Sequence, residues 1–200
     1  MYPTISGSKK SERPELTGLS SVIGKQNMNL KLYTADVDYC NFLREVDSHV
    51  PQTQKEKQTR PFAGVLLTVG HINYFAPLAS PKPKHKNMKN QIDFIKINDG
   101  EWGAINLNNM IPIHQNCITM IDFMILPTDG KSEKDYKNLL FNQFTWCNSN
   151  RAEILNKAAK LHKVIISQQA RPELAKRCCN FLIVEEQYRK YCILQGLVSK

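Results

Sequence analysis

Residues 61–90 read PFAGVLLTVGHINYFAPLASPKPKHKNMKN, and the architecture follows from them. Residues 62–69 are β-branched and aliphatic, Gly70 and His71 supply a turn, and residues 72–78 return as a second strand. That strand empties into a segment holding one serine (Ser80), two prolines (Pro81 and Pro83) and the basic-capable side chains Lys82, Lys84, His85, Lys86 and Lys89. A hairpin thus delivers a cationic loop with a hydroxyl at its base, and phosphate is the first ligand class it suggests. Pro81 pushes Ser80 into extended geometry. Alternate residues of an extended segment share a face, so Ser80, Lys82 and Lys84 are expected to point together into a groove.

Upstream, residues 1–27 mix serine, glycine, lysine and proline without period, the composition of a flexible leader. Order is expected to begin near Met28, which also offers an alternative translation start, so residues 28–200 form a single domain. NLKLYT, at 29–34, has the pattern of a short strand. Asp36 is an N-cap, and Tyr39, Phe42, Leu43, Val46 and Val50 recur at helical spacing, which predicts an amphipathic helix to about His49, stopped by Pro51. Residues 52–60, QTQKEKQTR, lack an apolar anchor and read as a solvated basic loop.

Downstream, residues 92–97, 102–107 and 117–123 are further strand candidates, separated by the Asn98-Asp99-Gly100 turn and by residues 108–112. Five or six short strands with an early helix point to an α+β protein with a compact, twisted antiparallel barrel. From Ser132 the period becomes helical. Tyr136, Leu139, Leu140, Phe144 and Cys147 form one stripe; after a break at residues 148–150, Leu155, Ala158, Leu161, His162 and Ile165 form another, with Asn150 and Glu153 in capping-box register. Pro172 and Asn180 open two further helices, so the C-terminal third is helical and wraps the barrel.

A net charge of +9 over 200 residues, with 42% hydrophobic composition, describes a globular chain with a polyanionic partner such as nucleic acid. No apolar run approaches the roughly 20 residues of a membrane span and the N-terminus lacks the apolar core of a secretory signal, so the expected compartment is the cytoplasm. The six cysteines fall mostly at apolar helical positions and read as reduced core residues. No histidine pair or C-x-x-C has zinc spacing, and no metal or other cofactor is expected.

Two readings of the basic loop stand side by side: a solvated surface loop, or a catalytic one. If catalytic, either a lysine activates Ser80 as nucleophile, or the nucleophile is the 2′-hydroxyl of RNA and the protein supplies cations, a base and a proton donor. The second asks less of a loop so charged. His85 fits acid–base work or phosphate binding. His49, His71, His114 and His162 read as structural, and Tyr39, by its position on the apolar helix face, as core. A serine–lysine hydrolase for small substrates lacks a glycine elbow.

Five blocks carry a resemblance: YCNFLREVDSHVP at 39–51, RPFAGVLLTVGHINYFAPLASPK at 60–82, KHKNMK at 84–89, WGAINLNNMIPI at 102–113 and CNFLIVEEQYRKY at 179–191. In this order they resemble the toxins of type III toxin–antitoxin systems, the ToxN/AbiQ family, over about residues 28–195. The resemblance implies a metal-independent endoribonuclease on a barrel-like core similar to Kid and MazF, leaving 2′,3′-cyclic phosphate and 5′-hydroxyl ends. It implies as partner a small repeat-derived, pseudoknot-like RNA antitoxin, processed by the toxin and closed with it into a ring; the substrates are cellular or phage transcripts, whose cleavage aborts infection. It assigns catalysis to Ser80, Lys82, Tyr39 and Arg60, moving Tyr39 from core to groove, and RNA binding to Lys84, His85, Lys86 and Lys89. Ala79 stands where some members have threonine, and Arg60 keeps its charge too firmly to serve as a base. The base is left among Lys82, His85 and Tyr39. A non-catalytic RNA-binding protein is the alternative that basic grooves alone would satisfy.

Overall fold

The computed structural model describes residues 29–52 and 60–197; the leader expected over residues 1–27, and residues 53–59 of the expected basic loop, lie outside the described residues. In chain order the strands are β1 (Lys31–Ala35), β2 (Pro61–Val69), β3 (Ile72–Ala79), β4 (Phe94–Lys96), β5 (Ala104–Asn106), β6 (Ile111–Pro112) and β7 (Ile118–Met120). The helices are α1 (Val37–Arg44), α2 (Pro83–Asn87), α3 (Lys131–Ser149), α4 (Arg151–Ile166), α5 (Pro172–Ala175) and α6 (Phe181–Leu194).

The hairpin of β2 and β3 forms the centre, pairing Val69 with Ile72 at the turn and Phe62 with Pro77 at the far end, with a register shift between Ala63 and Leu67. Its strands read as apolar runs rather than alternations because they are interior to the sheet and largely buried. The sheet order is β4-β5-β3-β2-β1-β7, with β6 also on β3, and every pairing is antiparallel. Among the described strands this sheet is open, with β4 and β7 at its two ends, and the closed barrel expected from strand count is not formed. These end strands have three residues each.

Helices supply the cover instead. The α4 helix packs on β2, and α6 packs on β6, α1 and α4. Glu185 of α6 is buried yet satisfied: it accepts from the Tyr74 hydroxyl at 2.7 Å, meets His162 Nε2 at 3.1 Å and pairs with Arg189 at 3.2 Å, joining β3, α4 and α6. Such a pinned carboxylate offsets the desolvation that burial imposes on it. All six cysteines are buried. No helix among the described residues is long and apolar enough to cross a membrane.

Local signals act largely as the sequence predicts. Asp36 caps α1, its carboxylate accepting from the Tyr39 amide at 2.7 Å. The helix ends at Arg44, not near His49, because the Arg44 guanidinium donates to the Ser48 carbonyl at 3.1 Å and to the Val50 carbonyl, drawing the chain into turns. The break between α3 and α4 falls at Asn150, but the capping box does not form. Asn150 donates its amide back to the Trp146 carbonyl at 2.9 Å, and Glu153 pairs with Lys157 at 2.8 Å. Asn180 caps α6 as expected, accepting from the Ile183 amide at 3.4 Å.

Candidate active site and nucleic-acid groove

A groove of about 650 Å³ opens where β3 ends. Ser80 is the first residue beyond the strand, exposed, and Ala79 before it pairs with Ala104 of β5. The backbone here is braced by a close approach that only glycine allows. At Gly103, with φ of +98°, an added Cβ would lie 1.9 Å from the Ala79 carbonyl oxygen and 3.1 Å from the Ser80 carbonyl carbon. The adjoining Trp102 carbonyl accepts from the buried Gln143 amide of α3 at 2.7 Å. The serine thus sits on a support held by β5 and α3, two elements distant in sequence.

The basic segment is not extended, as alternation predicted. Pro83 occupies the first turn of α2, where its fixed φ and missing N–H suit a helix start, and the Lys82 carbonyl accepts from the His85 amide at 2.9 Å. The expected convergence survives this change of geometry: Arg60, Ser80, Lys82, Lys84, His85 and Lys89 all line the groove. Lys86 does not; it turns away to Glu101 at 2.8 Å, beside a smaller neighbouring hollow.

His85 is only 3% exposed, stands edge-on to Phe94 at 5.8 Å, and has a buried Nδ1 with no hydrogen-bond partner among the described residues. Burial lowers its pKa, and the charges of Lys84 and Lys82 lower it further, so the imidazole is neutral near pH 7. It can then accept a proton.

The placement of Tyr39 in the groove is corrected. Its side chain is fully buried, its hydroxyl donates to the Pro112 carbonyl, and its ring meets Tyr191 edge-on at 4.8 Å. Burial raises the phenol pKa well above its ordinary value, and neighbouring thiols add to the shift. The helical period, which had put Tyr39 on the core face, is right about it.

Other groove residues escaped the sequence reading: Gln91, Asp93, Asn106, Asn108, Asn109, Tyr136 and Arg177. Arg177 lies between α5 and α6, and its guanidinium forks onto the buried Asp93 carboxylate, with Nη2 to Oδ1 at 3.0 Å, and onto Gln91 Oε1 at 2.7 Å. Nothing local in the sequence signals a pair 84 positions apart. The groove therefore carries five formal positive charges, from Arg60, Lys82, Lys84, Lys89 and Arg177, against one carboxylate. A hydroxyl, a neutral imidazole and several ammonium groups around one concavity can bind a phosphodiester and stabilise charge developing on it. Among the described residues no cluster of histidine, cysteine or carboxylate side chains can hold a metal ion.

Comparison with known proteins follows the same lines. The family model described as toxin ToxN of the type III toxin–antitoxin system matches residues 31–189. The chain is 29% identical over 168 residues to the endoribonuclease ToxN of Bacillus thuringiensis subsp. kurstaki, covering 82% of this chain and 84% of that protein. It is also 29% identical over 170 residues to the endoribonuclease ToxN of Pectobacterium atrosepticum, covering 81% and 94% respectively. A solved structure from a study of selective toxin inhibition by a non-coding RNA pseudoknot superposes with a TM-score of 0.69 at 30% identity, over 82% of this chain and 98% of that one. With the family match spanning most of its length and the same fold beneath it, the chain belongs to the ToxN toxins of type III toxin–antitoxin systems.

Proposed function

We propose that the protein is an endoribonuclease toxin that cleaves RNA without a metal ion, through attack of the substrate's own 2′-hydroxyl. The observation that carries this reading is the convergence of Ser80, Lys82, His85 and Arg60 on one basic groove. A base removes the 2′-hydroxyl proton, the 2′-oxygen bonds to phosphorus, and the P–O5′ bond breaks as the 5′-oxygen takes up a proton. The products are a 2′,3′-cyclic phosphate and a 5′-hydroxyl. Lys82 and Arg60 stabilise the charge on the non-bridging oxygens, and the Ser80 hydroxyl, set on its braced backbone, holds the phosphate in line rather than attacking it. His85, neutral and half of its ring nitrogens sealed in protein, is the preferred proton acceptor, because Arg60 is too basic and Tyr39 is sealed in the core.

The same groove is the site for a structured RNA antitoxin, which inhibits by occupying it; the solved relative, studied for its inhibition by an RNA pseudoknot, supports this partner. Closure of several toxins and RNAs into a ring, and action on transcripts in the cytoplasm, belong to the same proposal. The test is incubation of the purified protein with RNA in excess chelator, followed by analysis of the ends. Cyclic phosphate and 5′-hydroxyl termini are expected. Intact RNA that nevertheless binds would mark a non-catalytic RNA-binding protein, and 3′-hydroxyl ends would rule out attack by the 2′-oxygen.

A further inference from the structure

We infer that Arg177 is a specificity-determining residue of the groove, reading the acceptor edge of a nucleotide base next to the phosphate that is cut. The inference rests on the endoribonuclease reading and adds to it a residue outside the cationic segment.

A guanidinium has five N–H groups in a fixed plane. In Arg177, Nε–H and one Nη2–H go to the two oxygens of Asp93, and Nη2 also meets Gln91 Oε1. Asp93 is 3% exposed, so its carboxylate is a rigid anchor. Among the described residues Nη1 has no partner, while the side chain is 44% exposed and lines the groove. Two N–H groups are therefore held at fixed angles in a place where substrate passes.

Charge separates this arrangement from a phosphate clamp. Asp93 offsets most of the long-range attraction that Arg177 would exert, yet leaves its directional donors intact. Lys84 and Lys89 have the opposite character, with full charge on flexible stems and no fixed direction. Neighbouring amides are pinned in the same manner, and their orientation is forced by their partners. Asn108 must donate its Nδ2 to the Arg177 carbonyl, at 3.0 Å, and Asn109 its Nδ2 to the His49 carbonyl, at 2.6 Å, which leaves both Oδ1 atoms as acceptors. Gln91 must accept from Arg177, which leaves its Nε2 as a donor. Fixed donors and acceptors lining a concavity are what a base edge requires and what a phosphate does not.

The test uses the full chain and a random-sequence RNA pool, with both the cut sites and the bound sequences determined. Arg177→Lys keeps the charge and loses the planar fork; Gln91→Ala removes one tether while sparing the buried carboxylate. Each is expected to lower the base preference at one position beside the cut by about tenfold, with the salt dependence of RNA affinity unchanged; Gln91→Ala, which leaves the Arg177–Asp93 pair in place, is also expected to keep the wild-type thermal transition. Retention of the wild-type preference by Arg177→Lys would overturn the inference. So would Arg177→Ala lowering the salt slope by about 0.7 with preference unchanged, the signature of a phosphate contact. If wild type cuts no RNA, the endoribonuclease reading fails, and the bound sequences still decide whether Arg177 selects a base.

Discussion

The cationic and the amide-bearing sides of the groove are built by opposite means. Ser80, Lys82, Lys84, His85 and Lys89 come from one continuous segment after β3, and their side chains, His85 apart, have few fixed partners. Gln91, Asn108, Asn109, Asp93 and Arg177 come from distant stretches and are tied to one another and to the backbone. The difference separates two tasks. Attracting a polyanion needs charge, which tolerates mobility; choosing where along a chain to act needs direction, which does not.

The largest effect should come from the cationic side. Ser80→Ala or Lys82→Ala is expected to lower the single-turnover cleavage rate by about 10²–10³-fold, the usual loss when one preorganised group at developing charge is removed, with RNA affinity little changed. A full rate in either variant would move the chemistry to the other side.

Next is the brace beneath Ser80. Gly103→Ala places a Cβ 1.9 Å from the Ala79 carbonyl oxygen at a φ of +98°, and should cost about 3 kcal/mol or more in urea unfolding. Stability equal to wild type would mean that the Ser80 support is looser than its geometry implies.

Tyr39→Phe sharpens the boundary between groove and core. Loss of its buried hydroxyl leaves the Pro112 carbonyl unsatisfied, so stability should drop by about 1–3 kcal/mol while cleavage of RNA under folding conditions stays at the wild-type rate. A selective loss of rate would return Tyr39 to the site.

The smallest effect is in pH. Burial lowers the pKa of His162 despite the contact with Glu185, and burial with Lys84 and Lys82 lowers that of His85. The folded state thus binds these protons less readily than the unfolded chain, whose histidines titrate near 6.5. Their contribution to stability is present above about pH 6.5 and is lost as pH falls through that value toward the lowered folded pKa. Chemical unfolding between pH 8 and pH 5 should show this decline, and it should be shallower in His162→Gln, which keeps a donor for Glu185 without a titrating ring.

The helical period of α1 put Tyr39 in the core, and there the side chain lies. Family resemblance places it in the groove, whereas its hydroxyl is buried and donates to the Pro112 carbonyl. The basic segment was read as extended because its alternation of proline and lysine hides a helix start; Pro83 at the first turn makes that start favourable. Lys86 looked equivalent to Lys84 by composition, yet two residues along a helical turn is far around the axis, and it faces Glu101 instead.

By itself the sequence determined the hairpin, the antiparallel α+β character, the helical C-terminal third and the gathering of Ser80 with Lys82, Lys84, His85 and Lys89, since each depends on residues close together in the chain. Only the tertiary structure decided that the sheet stays open, that α3 and β5 brace the serine, and that Arg177 reaches Asp93. Those outcomes depend on packing and on hydrogen bonds between residues far apart in sequence, where local pattern carries no record of the partner.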